Sequence, residues 1–460
     1  MRGECFTRTV SVNRSLIRAT VLGTVALLLL ESAAHGQTAV RTQTTWGGFG
    51  REAPSGVAVA VDGSTYITGT TDSFTTDQFG NPSPSIFLVK FTPNGLVDWQ
   101  RVWTGPTVFG TFHGPTVALS PGPLPGSASD DSVYVTGLTV NNGTDAVLLK
   151  FDPFGNLLWQ RTWGGGGGEE SEAVAATPDG FVYIAGQSTS FGPSGSSLFV
   201  VKFDSAGALV WQKVWDGSSG FEAVAVAPDG SVYAAGTTPR DATFSQFSLV
   251  AIKVTPCGSL VWQQTYAAGD IADARGGMTV APDGSIYFAG AIQAMKGNTP
   301  SIAPLIVRLA PAGTLLFDGQ WSVGDTAAGV AAAADNSVYI AGTISGSGAG
   351  GQDAFVVHLL TSGKIGGAAT WGGTGFDEGG GVALAADGTI SLAAIAEAPP
   401  YSLIAASKKL TNVKGTVAAA VHAFGDAAGT VSDPAAAVII PNGSQTFAGN
   451  VDAALVRIVP

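Results

Sequence analysis

WGGGGGEESEAVAATPDGFVYIAGQSTSFGPSGSSLFVVKFDSAGALVWQKVW, residues 163–215, is the stretch whose reading decides the fold. It holds four β-type runs: AVAAT, FVYIAG, LFVVKF and ALVWQKVW. Pro178-Asp179-Gly180 separates the first two and Ser205-Ala206-Gly207 precedes the last, both turn-forming combinations. Four short strands joined by hairpins make one antiparallel sheet, which by itself leaves edges and a face without partners. Close copies follow at a period of about 50 residues over nearly everything after residue 45. A repeat array therefore replaces the several domains that 460 residues would otherwise suggest.

The copies align on one another. Asp-Gly-x-x-Tyr appears at 62–66, 179–183, 229–233 and 283–287, related forms surround Tyr134 and Tyr339, and degenerate ones occupy 387–391 and 442–446. The last strand of each copy ends in an aromatic: Trp46, Trp103, Trp163, Trp215, Tyr266, Trp321, Trp371 and Phe424. Both series count eight, but they are out of phase. The chain opens with a lone fourth strand near 38–46 and ends with a lone third strand near 453–459. Radial closure buries the faces and shelters the edges, and one blade completed from both chain ends would fasten the ring. The expectation is an all-β chain, an eight-bladed β-propeller of four-stranded antiparallel blades in which the N-terminal strand joins the C-terminal blade. Residues 402–424 have lost the tryptophans and gained Ala, Lys408 and Lys409, which keeps seven blades open as an alternative.

These units resemble the SBBP class of β-propeller repeats, found in exported bacterial proteins. The likeness rests on Trp-Gly-Gly before the first strand (46–48, 163–165, 371–373), the Asp-Gly turn, Tyr-x-x-Gly, a Lys-containing strand and Gly-x-x-x-Trp, and covers about residues 38–460. The resemblance implies a scaffold and little about activity.

Residues 1–36 read as a leader rather than as part of the fold. Arg2, Arg8, Arg14 and Arg18 precede a 12-residue apolar run from Ala19 to Leu30, and Ala34-His35-Gly36 supplies small residues for cleavage before Gln37. The apolar run falls short of the ~20 residues that span a bilayer. The expectations are export to the periplasm, cell surface or medium, no membrane span after cleavage, and a single domain over 37–460. Cys5 would leave with the leader, making Cys257 a lone thiol in a turn. The net charge is -12, and loss of the leader leaves 18 basic against 32 acidic residues. That balance argues against nucleic acid and anionic membrane as partners.

Several residue sets invite a functional reading. The paired aromatics of the fourth strand (Trp99 and Trp103, Trp159 and Trp163, Trp211 and Trp215, Trp262 and Tyr266) lie on one strand face, and their recurrence assigns them to packing between units. Lys90, Lys150, Lys202 and Lys253 share one place in the third strand. They are expected to ion-pair with acidic turns such as Asp152 and Asp204, their stems covering a Trp. No His or Cys spacing supports zinc or haem, and no nucleophile elbow or phosphate loop is present. The acidic loops place Glu169, Glu170, Glu172, Glu222, Asp377 and Glu378 as candidate Ca²⁺ ligands, against which stands the plainer reading of solvated loops. No other cofactor is expected.

In a four-stranded blade the Asp-Gly hairpins and the third-to-fourth turns share one face, while second-to-third loops and blade crossovers share the other. The second face carries the length variation, at 71–85, 238–246, 294–303 and 345–352. Variable loops on a repeated scaffold are where recognition lies. The functional expectation is a non-enzymatic scaffold binding an extracellular or cell-surface protein or glycan. Two alternatives stay open. One is a propeller enzyme such as a quinoprotein-like dehydrogenase, which Gly-x-x-x-Trp resembles while its fuller motif and cysteine pair are missing; the other is a purely structural envelope protein.

Overall fold

The computed structural model describes residues 39–460 apart from 106–113, 121–131, 141–142, 193–194, 218–220, 242, 244, 297–298, 322–325, 346–349, 407–409, 412, 420–423, 435 and 441–450. The expected leader, Lys408, Lys409 and the 442–446 signature lie outside the described residues. The described residues form strands, turns and bends, with no helix.

The repeat pattern becomes consecutive antiparallel meanders. Unit 1 runs through strands Glu52–Val59, Thr65–Thr71, Ser85–Phe91 and Val97–Trp103, and unit 3 through Glu169–Ala176, Val182–Ser188, Ser197–Phe203 and Leu209–Asp216. Unit 2 begins at Thr116–Ser120, unit 4 at Phe221–Val226, unit 5 at Met278–Val280 and unit 6 at Thr326–Ala332. Unit 7 is assembled from both ends of the chain: Glu378–Leu384, Ile390–Ala396, Asp452–Val459 and, outermost, Ala39–Trp46. The first strands of successive units touch one another, and that of unit 7 touches that of unit 1. The architecture is a β-propeller.

Each Asp-Gly turn is set by its glycine. In unit 3, Thr177 N donates to Phe181 O (2.9 Å) and Gly180 sits at φ +86°, where a Cβ is disfavoured. Unit 6 keeps the turn with Asn336 at φ 67°, the side chain that tolerates this region best after glycine.

Trp-Gly-Gly has a different cause. A Cβ on Gly47 would run into Glu52 Oε2 and Asp452 Oδ1, on Gly164 into Asp145 Oδ1 and Glu169 Oε2, and on Gly372 into Asp353 Oδ1 and Asp377 Oδ2. The following glycines donate their N–H to the same acids: Gly48 to Glu52 (3.1 Å), Gly165 to Glu169 (2.8 Å) and Gly373 to Asp377 (2.7 Å). The motif packs a crossover against two carboxylates at three unit junctions.

The stretch expected to supply an eighth unit does something else. Described parts of residues 401–440 run around the rim, adding a short antiparallel strand to the outer edge of one unit after another. Ser402–Ala405 pairs with unit 6, Thr416–Ala419 with unit 4, Phe424–Asp426 with unit 3, Thr430–Ser432 with unit 2 and Val438–Ile439 with unit 1. At unit 5, Thr411 and Gln320 exchange backbone hydrogen bonds of 2.8 and 2.9 Å. The register is periodic: Leu403 lies opposite Trp371, Val417 opposite Tyr266, Phe424 opposite Trp215, Val431 opposite Trp163 and Val438 opposite Trp103. Leu410 packs with the cluster of unit 5 that holds Trp321. Phe424, read as an eighth terminal aromatic, belongs to this strap.

Two further expectations are corrected. Residues 294–296 and 299–303 belong to a long strand pair, Ile286–Lys296 with Thr299–Leu309, rather than to a loop, because the strand pairing continues that far. Cys257 is disulfide-bonded rather than a lone thiol.

Candidate functional site at the crossover face

The repeated aromatics tie each unit to the next. Trp103 Nε1 donates to Gln160 Oε1 (2.8 Å), Trp163 to Gln212 (2.6 Å), Trp215 to Gln263, Trp371 to Gln43 (3.2 Å) and Trp46 to Gln100 (2.5 Å). Tyr266 OH donates instead to Asp318 (3.0 Å), with Tyr phenol and Asp replacing indole and Gln together. Trp321 Nε1 is buried with no acceptor among the described residues, and the equivalent position in unit 6 is Ala368. All seven terminal aromatics are almost fully buried.

The lysines belong to a second girdle. Lys90 Nζ and Trp99 Nε1 both donate to Pro153 O (3.2 and 2.9 Å), Lys150 and Trp159 to Ser205 O, and Lys202 and Trp211 to Pro256 O. Lys90, Lys150, Lys202 and Lys253 also lie over Tyr66, Tyr134, Tyr183 and Tyr233, 5.1 to 5.7 Å from the ring centres. An ion pair is present at Lys90, with Asp98 of the adjoining strand at 3.2 Å rather than with an acidic turn. Asp152 and Asp204 accept N–H groups within their own turns, while the lysine heads reach the neighbouring unit's carbonyls. Burial lowers the Lys150 and Lys202 pKa and pushes Tyr134 up to about 12.

The candidate site is a cavity of about 590 Å³ lined by the first strands of all seven units. Its lining comes from the crossover half of those strands, such as Arg51 and Glu378, and from the ends of second strands at Thr70, Thr343 and Ile395. Below lies one apolar residue per unit, Val57, Val117, Val174, Val224, Met278, Val330 and Val382, each opposite the residue after the second-strand Tyr or its equivalent. The cavity is thus a funnel, charged toward the crossovers and apolar at its floor.

Bulges aim its acids. The register shifts between Ser171 and Ala173 and between Phe221 and Ala223, so Glu172 and Glu222 are the extra residues, and both line the cavity. Glu222 accepts from Ala274 N (3.0 Å), and Arg275 beside it pairs with buried Asp273 at 3.2 Å. Arg51, Glu172, Glu222, Arg275 and Glu378 give the wall both signs of charge. Sequence reading missed the two arginines, whose only signal was their position just ahead of a first strand.

The six acids proposed as Ca²⁺ ligands divide between different places. Glu169 and Asp377 are fully buried at junctions, Glu170 accepts from Gln187 (2.7 Å), and Glu172, Glu222 and Glu378 face the cavity. Alternation along the strand sends neighbours to opposite sides. Among the described residues no three acidic, His or Cys side chains gather as a metal-holding group. At the junctions burial raises the pKa of Glu52, Asp145 and Asp377, with the facing carboxylates of Asp452, Glu169 and Asp353 adding to it.

No protein-family model and no curated protein matches the chain. Among solved structures it is similar to Chaetomium thermophilum Sqt1, bound in that structure to the N-terminus of ribosomal protein L10, with 14% identity, 79% of this chain and 89% of the other covered, and TM-score 0.39. It is also similar to a subtype N11 neuraminidase-like protein of A/flat-faced bat/Peru/033/2010 (H18N11), with 11% identity, 80% of this chain and 93% of the other covered, and TM-score 0.38. At such scores these likenesses say nothing about ligand or activity.

Proposed function

We propose that the chain is an exported, non-enzymatic β-propeller of seven units, closed into a ring by strand Ala39–Trp46. In this reading it binds an extracellular protein or glycan at the crossover face. The carrying observation is the funnel: both signs of charge line its crossover half, and the variable segments 71–85 and 238–246 belong to the same face. Closure is supported by two hydrogen bonds of the N-terminal strand: Trp46 donates to Gln100 of unit 1, and Gln43 accepts from Trp371 of unit 6. Binding is favoured over catalysis because Glu222 and the Asp273–Arg275 pair are already engaged with the protein itself.

The test is cross-linking of the exported chain to its surroundings, with the sites mapped by mass spectrometry. Cross-links concentrated on 71–85, 238–246 and the funnel support the reading. Cross-links confined to the Asp-Gly turn face overturn it.

A further inference from the structure

The strap repeats with a period of its own. Leu403, Leu410, Val417, Phe424, Val431 and Val438 follow at intervals of seven residues. Five stand directly opposite the terminal aromatic of an outer strand, and Leu410 packs into the cluster of the remaining one. Seven extended residues reach at most ~25 Å, so each step pairs for two to four residues and crosses to the next unit with the rest. Polar anchors keep the same step. Asp426 and Asp433, seven apart, pair with Lys213 and with Arg161 (2.5 Å), which hold equivalent places in units 3 and 2.

We propose that the rim is a strand-accepting surface keyed to one apolar residue at every seventh position, and that the short strap strands from Ser402–Ala405 to Val438–Ile439 are its resident, displaceable ligand. The partner that fits it is an extended peptide of that period. Outer edges of sheets add strands through main-chain hydrogen bonds, and side-chain spacing supplies the selectivity. Each strap strand is short and mostly exposed, which makes the steps separately openable. Acting together they hold by avidity. The surface is distinct from the crossover-face site.

Residues 398–450 are replaced by Asn-Gly, which suits a two-residue hairpin because Ala396 and Asp452 are direct cross-strand partners. Light scattering and peptide anisotropy are then measured. The strapless chain is expected to self-associate, and a synthetic peptide of residues 413–440 to bind it and return it to monomer. A peptide shortened by one residue between each apolar pair should bind about tenfold more weakly or worse. Equal binding of both peptides, or of neither, to a folded strapless chain overturns the proposal. Should the strapless chain fail to fold, the full chain carrying Asp318→Ala and Val417→Asp serves, with hydrogen exchange of Leu260–Ala267 as readout. Protection lost in the variant and regained on adding the peptide supports the proposal. Protection never lost, or not regained, overturns it.

Discussion

Trp321 shows how much one side chain carries in a repeat. Elsewhere the terminal aromatic finds a Gln or Asp in the next unit, but Ala368 leaves the Trp321 indole N–H buried with no acceptor among the described residues. Ala368→Gln is expected to stabilise the chain by about 1 kcal/mol, and Gln212→Ala to destabilise it by ~1–3 kcal/mol by orphaning Trp163, both read from urea midpoints. The junction carboxylates set a pH dependence. Burial raises Glu52, Asp145 and Asp377, so the folded chain holds protons that the unfolded chain has released. Stability from these groups is therefore lost as pH rises from the ordinary carboxylate range through the raised values, and regained on acidification into that range. Asp145→Asn removes one of two facing charges. It should raise stability at pH 7 by up to ~1 kcal/mol and flatten the pH profile of thermal unfolding, whereas an unchanged slope would count against the pair.

At the scale of elements, the strap is fastened where Asp318 accepts N–H groups of Val413 (3.2 Å), Lys414 (3.1 Å) and Gly415 (2.6 Å) as well as the Tyr266 hydroxyl. Asp318→Ala should cost ~2–4 kcal/mol, from several charge-assisted hydrogen bonds lost together. It should also open Thr416–Ala419 to rapid hydrogen exchange while units 1 to 3 stay protected; uniform loss of protection would mean a global role instead. The meander of each unit was legible beforehand because alternating apolar runs and Asp-Gly turns are local signals, as at Val182–Ser188 and Gly180. The strap was not. A seven-residue spacing fits neither the two-residue period of a strand nor the 50-residue unit, and Phe424 fell where a fading eighth copy would put an aromatic. The Trp-Gly-Gly glycines were visible as motif but not as cause, since only one carboxylate of each pair is close in sequence and the other comes from a separate strand: Asp452 lies far from Gly47. The funnel was foreseen only as a face. Its acids were visible as candidates for another role, and the bulges that aim Glu172 and Glu222 depend on register, which only the paired strand reveals.

Over the whole molecule, the first and last strands are the organising contact. Ala39–Trp46 pairs with Asp452–Val459 from Ala39 opposite Val459 to Trp46 opposite Ala453, and the buried Trp46 ring packs with Phe74 and Phe87 of unit 1. The proposed closure into a ring would share stability among all junctions. Deleting residues 38–46 should therefore expose an outer edge, lower cooperativity and promote aggregation, and a deletion variant that stays monomeric with an unchanged melt would argue against the closure. Most direct of all is native-state hydrogen exchange of the intact chain. Closure predicts that amides of Ala39–Trp46 exchange as slowly as those of Asp452–Val459, only on global unfolding. Exchange of Ala39–Trp46 at the rate of a frayed terminus, with the other units still protected, would contradict it.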